Sequence, residues 1–176
     1  ENPNSQELLI AGLFTRKNFL DIVQNFTVFE PVDGRVIKKI PRYQQYRAVH
    51  KTIERIKTGS TRKEKSGVIW HTQGSGKSLT MVFLTIKMRR DPELRNYKLV
   101  FLTDRTQLDG QLTSTFKNAQ DETVYNARSV KELKELLAKD SSDVITAMVQ
   151  KFQESADDFE FPVLNESDKI IILADE

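Results

Sequence analysis

The sequence contains no cysteine and has few histidines, glycines and prolines: two, seven and five among 176 residues. Without cysteine, disulfides, thiol catalysis and cysteine-based zinc or iron–sulfur sites are excluded. The two histidines, His50 and His71, are too few for a histidine-rich metal site. No run of 18 apolar residues is present, so no membrane-spanning helix is predicted. The sequence has 27 Lys and Arg against 25 Asp and Glu, so its net charge is close to zero. Any phosphate-binding surface must therefore come from the placement of basic residues rather than from an overall excess of them.

Both ends of the sequence predict an internal piece of a longer cytoplasmic protein. The chain opens at Glu1 without a methionine and without the basic and apolar regions of a signal peptide. It stops directly after an apolar strand pattern, at Glu176. The length is that of one domain, or one domain with a fragment of another.

The first 66 residues favour helices and one hairpin. Apolar spacing predicts helices over residues 5–25 and 43–57. Two β-rich runs, 26–30 and 35–40, flank Asp33-Gly34 and predict a hairpin. Residues 57–66 are polar and are predicted to form a loop.

From residue 67 onward, short apolar runs alternate with helical patterns. We expect strands at 67–71, 98–103, 124–125, 143–148 and 170–174, and helices at 77–90, 105–117 and 129–139. Unbroken apolar strands separated by helices indicate an α/β fold with a parallel sheet covered by helices on both faces.

A glycine-rich segment between the first of these strands and the first of these helices predicts a phosphate-binding loop, consisting of Thr72, Gln73, Gly74, Ser75, Gly76, Lys77 and Ser78. Glycines let successive backbone N–H groups surround phosphates, and the following helix presents its positive end. Lys77 would neutralise the β- and γ-phosphates, and the Ser78 hydroxyl would bind Mg²⁺. The usual pattern has Gly or Ala where this chain has His71. The alternative is an ordinary glycine-rich turn before a helix.

Two carboxylates follow the last apolar strand. Ligands bind at the carboxyl edge of open α/β sheets, which is where Asp175 and Glu176 would lie. Asp175 would hold Mg²⁺, and Glu176 would orient or deprotonate the attacking water. The alternative is a solvated strand end.

A polar segment at the start of the helix near residue 43 suits adenine recognition. The Gln45 amide can donate to and accept from a base at once, and Tyr43 or an arginine can stack on it. The alternative is an ordinary solvated helix start.

Five segments together resemble the Q motif and motifs I, Ia, Ib and II of superfamily 2 helicase-like motors, in that order: 42–49, 71–78, 102–111, 146–152 and 173–176. The residues of these segments, including His71, are most similar to those of the motor (R) subunit of type I restriction enzymes. The resemblance implies a RecA-like P-loop NTPase lobe that uses ATP and Mg²⁺ to move along double-stranded DNA before cleavage. It also implies partner methylation and specificity subunits.

The resemblance further implies a domain plan and a set of DNA contacts. Residues 1–40 would be the tail of an upstream nuclease-type domain and its connector, and 41–176 the first motor lobe, truncated after motif II. The second lobe and the nuclease active site would lie outside this sequence. By analogy, the residues that would contact the DNA backbone are Arg105, Gln111, Thr146 and Gln150. Arg105 as a helix-start charge and Gln111 as a surface residue are the alternatives.

Three other functions are compatible with parts of this pattern. One is a different superfamily 2 helicase or translocase. A P-loop small-molecule kinase also needs a strand, loop and helix, but not the 42–49 segment. A non-catalytic phosphate- or nucleic-acid-binding module is the third. DNA-stimulated ATP hydrolysis separates the motor from the kinase, and a non-catalytic module would show altered binding but no change in turnover in Lys77→Ala.

Overall fold

A computed structural model describes residues 4–32, 34–72, 74–103, 124–150 and 163–175. The chain forms two compact units, residues 1–87 and 88–176. None of the helices in the described ranges has the length and apolar character needed to cross a lipid bilayer.

The first unit is helical with one hairpin. Its elements are α1 (Ser5–Phe14), α2 (Arg16–Asn25), β1 (Val28–Val32), β2 (Arg35–Lys39), α3 (Tyr43–Thr58), α4 (Arg62–Lys65) and α5 (Lys77–Arg90), of which residues 88–90 belong to the second unit. The predicted hairpin is confirmed: β1 and β2 pair antiparallel, and Gly34 takes the positive φ of 74° that the turn requires.

A buried apolar stripe explains why α3 forms. Val49, Ile53 and Ile56 recur at helical spacing and are buried, while the remaining positions are mostly charged or polar. Phe26 and Phe83 are completely buried in the same unit, with ring centroids 5.4 Å apart. The start of the chain and α5 therefore share a core.

The predicted polar loop at 57–66 contains a short helix, which is a correction to the sequence reading. Thr61 Oγ1 accepts the backbone N–H of Glu64, and the Glu64 carboxylate accepts the N–H groups of Ser60 and Thr61. This reciprocal cap stabilises one helical turn in a segment with no apolar periodicity.

The second unit contains the parallel sheet that the sequence predicts. Its elements are β3 (Lys98–Thr103), β4 (Val124–Asn126), α6 (Val130–Ala138), β5 (Val144–Met148) and β6 (Ile170–Ala174). The strand order is β4-β5-β3-β6, and every neighbouring pair is parallel. Leu99 lies opposite Val144 on one side and Ile171 on the other.

Burial along the central strands confirms that the sheet is covered on both faces. Consecutive residues of β3 and β5 are buried, and consecutive side chains of a strand point to opposite faces. On one face, Leu133 and Leu136 of α6 pack with Val100, Ile145 and Ala147. The unit is α/β, consistent with a RecA-like lobe.

One predicted strand is wrong. Residues 67–71 have no strand structure, and no ladder among the described residues includes them. Val68 and Trp70 are 94% and 81% exposed. An apolar run becomes a strand only where a neighbouring edge supplies hydrogen-bond partners, and these residues have none from a ladder. The predicted helix at 105–117 lies outside the described residues.

Candidate phosphate-binding site

The glycine-rich loop before α5 contains two glycines in the left-handed region of backbone conformation. Gly74 and Gly76 have φ of 73° and 87°, which side-chain-bearing residues rarely adopt. The Ser75 N–H donates to the Thr72 carbonyl at 3.1 Å and closes a tight turn. Gln73 lies outside the described residues.

The loop delivers Lys77 and Ser78 to the first positions of α5. The first N–H groups of a helix have no intrahelical acceptor, and the helix dipole favours negative charge there. Both residues are partly buried. A cation, a hydroxyl and a group of backbone donors are thus placed at one helix end, which is the chemistry of a phosphate site.

The Gly76 carbonyl accepts three hydrogen bonds. It accepts the Thr80 N–H at 3.1 Å, the Thr80 hydroxyl at 3.2 Å and the Gln45 amide nitrogen at 2.9 Å. A Cβ at Gly76 would lie 2.6 Å from that nitrogen. Position 76 therefore needs glycine both for its φ and for the approach of Gln45.

Gln45 is attached to the loop rather than exposed at the helix start. It is 2% exposed, and its Oε1 accepts the Arg42 N–H at 2.7 Å. These two contacts fix the amide orientation and leave one N–H and one lone pair for another partner. Gln44 is exposed. Tyr43 is 66% exposed, and its hydroxyl accepts a hydrogen bond from Arg47 Nη1 at 3.2 Å.

The loop residues fit a nucleotide with its magnesium ion. The Ser75 Oγ is buried without a hydrogen-bond partner, a costly state that an anionic acceptor would relieve. Across the described ranges, no group of three or more His, Asp or Glu side chains could hold a metal. Mg²⁺ commonly keeps waters and phosphate ligands and needs few protein groups, so a hydroxyl such as that of Ser78 is an adequate contribution.

Asp175 lies at the carboxyl edge of the sheet, where the sequence predicts it. β6 ends at Ala174, and the Asp175 N–H donates to the Leu102 carbonyl at 2.9 Å. The predicted strand at 170–174 is confirmed. Glu176 lies outside the described residues.

The four predicted DNA contacts have different outcomes. Thr146 is completely buried in β5, so it offers no surface to a DNA backbone, and we correct that assignment. The central position of β5 in the sheet accounts for the burial. Gln150 is exposed just after β5. Arg105 and Gln111 lie outside the described residues.

A polar cluster that sequence reasoning missed joins three helices of the first unit. Asp21 Oδ2 lies 2.7 Å from His50 Nε2 and 3.0 Å from the Tyr46 hydroxyl. Asp21 Oδ1 accepts Lys87 Nζ at 2.6 Å and Asn25 Nδ2 at 2.7 Å. We name these five residues the Asp21 cluster.

The cluster strongly perturbs two pKa values. Burial by itself would raise the pKa of Asp21, but hydrogen bonds from His50, Lys87 and Asn25 outweigh it and hold that pKa far below the usual range. Burial and the adjacent Asp21 carboxylate raise the pKa of Tyr46 above its ordinary value. The available sequence signals were a lone Asp within an apolar helical stretch, and Tyr46 and His50 at helical spacing.

Comparison with known proteins shows which family the sequence resembles over most of its length. A family model described as SWI2/SNF2 ATPase matches residues 44–176. The chain is 38% identical over 175 residues, 96% of its length, to the type I restriction enzyme HindI endonuclease subunit of Haemophilus influenzae. It is 36% identical over 181 residues, 99% of its length, to the putative type I restriction enzyme MjaIXP endonuclease subunit of Methanocaldococcus jannaschii. It spans 17% of the length of each of these two relatives.

Proposed function

Because the chain belongs to the SWI2/SNF2 ATPase family, we propose that it is the ATP-hydrolysing motor lobe of a type I restriction endonuclease subunit. In this role it binds Mg-ATP and couples hydrolysis to movement along double-stranded DNA before cleavage. The observation that carries the proposal is the phosphate loop at the start of α5, with two glycines at positive φ and Gln45 bound to Gly76. The similarity to type I restriction endonuclease subunits over nearly the whole chain supports it.

Each loop residue has a definite task in the proposed reaction. ATP supplies the phosphoanhydride bond whose cleavage drives movement. The backbone N–H groups of the loop and of the first turn of α5 bind the phosphate oxygens. Lys77 offsets the charge that develops on the transferred phosphoryl group, and the Ser78 hydroxyl binds Mg²⁺.

The remaining site residues complete the proposal. Asp175 holds Mg²⁺, and Glu176 orients or deprotonates the attacking water. Gln45 reads adenine with the N–H and lone pair that its two protein contacts leave over, and the exposed Tyr43 ring stacks on the base. Arg105, Gln111 and Gln150 are the proposed DNA-backbone contacts.

The proposed assembly extends beyond this sequence. Residues 1–40 connect an upstream nuclease-type domain to the motor lobe at 41–176, and a second lobe of the same protein completes the ATP site. Exposed apolar side chains on the first 40 residues, including Leu9, Phe14 and Val36, support contact with further protein surface. Methylation and specificity subunits are the proposed partners, and the cytoplasm is the proposed location.

Lys77→Ala in the intact protein tests the function. We expect DNA-stimulated ATP hydrolysis to fall by about 10²-fold or more, because one charge-stabilising group of the transition state is lost, and translocation to fall with it. Displacement of a DNA triplex strand from linear DNA measures translocation. Lys51→Ala, which removes an exposed lysine of α3, is the matched control and should leave both activities unchanged.

The same assay separates the proposal from its rivals. ATP hydrolysis that is independent of DNA, with phosphate transferred to a small molecule, would instead indicate a kinase. Wild-type turnover in Lys77→Ala would contradict the assigned site. Nucleotide binding without any turnover in the wild type would indicate a non-catalytic binding module.

A further inference from the structure

The helix that carries Gln45 is joined to the phosphate-loop helix at two separate places. At the front, the Gln45 amide nitrogen donates to the Gly76 carbonyl, directly before α5. Further along, His50 and Tyr46 of α3 and Lys87 of α5 all contact one carboxylate, that of Asp21. Asp21 belongs to α2 and comes from the first 40 residues.

The spacing of the two contacts has a mechanical consequence. Lys77 and Lys87 are about 15 Å apart along α5, and Gln45 and His50 about 7.5 Å apart along α3, at 1.5 Å per residue. A single hydrogen bond at Gly76 would leave α3 able to pivot about that point. A second attachment some distance along both helices removes this freedom and fixes the position of Gln45.

Apolar packing surrounds the Asp21 cluster and makes it rigid. The Phe26 ring, at the end of α2, lies 4.8 Å from the Tyr46 ring and 5.4 Å from the Phe83 ring between centroids. Lys87 Nζ lies 5.4 Å from the same ring centroid. The carboxylate accepts from donors on α2, α3 and α5, so each helix is bound by a directional contact as well as by packing.

We propose that Asp21 is a positioning residue for the ATP site, which holds α3 against α5 so that Gln45 stays bound to the phosphate loop. The proposal rests on the ATPase function proposed above. It gives the connector segment a role within the motor lobe. The positions of the Gly76 carbonyl and of the Gln45 amide then depend on Asp21, a residue outside the nucleotide motifs.

The decisive variant is Asp21→Asn in the intact protein, which keeps the side-chain volume and removes the charge. We expect the KM for ATP to rise about tenfold with kcat within about twofold, and the preference for ATP over GTP to fall, because Gln45 and the loop lose their fixed geometry before chemistry begins. Asp21→Glu, which keeps a carboxylate, should show a smaller rise in the KM for ATP than Asp21→Asn does. Measurements are made well below the thermal unfolding midpoint of each variant.

Two further variants separate positioning from general loss of structure. Lys87→Gln removes only the ion pair between α5 and Asp21. We expect the KM for ATP to rise in this variant too, but by less than in Asp21→Asn. Glu54→Ala, at an exposed carboxylate of α3, is the matched control and should change neither KM nor nucleotide preference. A rise in KM in Glu54→Ala equal to that in Asp21→Asn would overturn the proposal.

Hydrogen exchange in nucleotide-free protein gives a readout that needs no ATP turnover. Asp21→Asn should speed exchange of the amides at 44–47 and 76–80, whereas Glu54→Ala should not. Unchanged protection at 76–80 in Asp21→Asn would overturn the positioning role, even with a changed KM. Absence of ATP hydrolysis in the wild type would instead overturn the proposed function, and faster exchange at 76–80 would still show that Asp21 orders the loop.

Discussion

Gly76 shows how two separate physical demands meet at one residue. Its φ of 87° favours glycine, and the Gln45 amide nitrogen lies 2.6 Å from where a Cβ would be placed. The glycine pattern of the sequence predicts the first demand. The second depends on a contact with a residue 31 positions earlier in the chain.

Gly76→Ala should therefore damage the ATP site more than its small size suggests. We expect Gln45 to be displaced and the affinity for ATP to fall by about tenfold or more, since strain of about 1–3 kcal/mol is added at a residue with positive φ. Isothermal titration with ATP measures the change. Gly12→Ala, at a helical glycine with no atom within 4 Å of the new Cβ, should leave affinity unchanged. Equal affinities for the two variants would contradict the role given to Gly76.

Asp175 and Glu176 are adjacent but should fail in different ways. Asp175→Ala should weaken nucleotide binding only when Mg²⁺ is present, because it removes a metal contact. Glu176→Gln should keep ATP bound and slow its cleavage by about 10²–10⁴-fold, since the base is lost and the shape kept. ATP affinity with and without Mg²⁺, together with single-turnover hydrolysis, measures both effects. Wild-type cleavage by Glu176→Gln would refute this division of tasks.

At the scale of elements, the C-terminal end of α6 is stabilised by a lysine from the sheet. Buried Lys98 donates from Nζ to the carbonyls of Leu136, Leu137 and Lys139 at 2.6, 3.2 and 2.5 Å. The Asn165 amide donates to two of the same carbonyls, those of Leu137 and Lys139. Burial lowers the pKa of Lys98, against the opposing effect of nearby carboxylates. The last carbonyls of a helix lack intrahelical donors, and the Lys98 ammonium group supplies hydrogen bonds to them.

Lys98→Met should loosen α6 while leaving the sheet in place. We expect a loss of about 1–3 kcal/mol in local stability, because carbonyls buried with the lysine lose their charged donor. Hydrogen exchange over 130–138 in the intact protein measures it. Lys131→Met, at an exposed lysine of α6, should change stability by no more than about 0.5 kcal/mol. Protection unchanged in Lys98→Met would show that Asn165 alone is a sufficient cap.

At the scale of the whole molecule, packing joins segments that the motif order separates. The nucleotide motifs begin at residue 42, yet Asp21, Phe26 and Val28 belong to the same compact unit as α3 and α5. The proposed connector is therefore also part of the unit that carries the loop proposed to bind phosphate. Its buried carboxylate predicts a specific response to acid.

The first unit should lose stability in acid partly through Asp21. The folded-state pKa of Asp21 is far below the ordinary value of 3.8, so its stabilising contribution is complete above that value and is lost progressively as the pH falls below it. At pH 6, Asp21→Asn should lower the free energy of unfolding of the first unit by about 1.5–3 kcal/mol, because hydrogen bonds to a charged group are lost. That difference from wild type should shrink between pH 4 and pH 2, as measured by protection factors in α3. A difference that stayed constant with pH would contradict the assignment.

Local patterns in the sequence determined most of the elements and the glycine-rich loop that is proposed to bind phosphate. Helical spacing predicted α3 and α5, unbroken apolar runs predicted β3, β5 and β6, and the glycine spacing predicted the loop before Lys77. These features depend on neighbours within a few residues, so a sequence window contains their cause. The same local reasoning put a strand at 67–71, where the apolar pattern is present but no strand ladder within the described part of the chain includes these residues.

Only the tertiary structure decided which polar side chains meet. Asp21 contacts residues 25, 29 and 66 positions away, and Gln45 meets Gly76 across 31 positions. It also decided that Thr146 is buried rather than exposed to DNA, because burial depends on which strand lies at the centre of the sheet. Such contacts have no periodic signature, since the packing of distant helices and strands, rather than local conformational preference, brings these groups together.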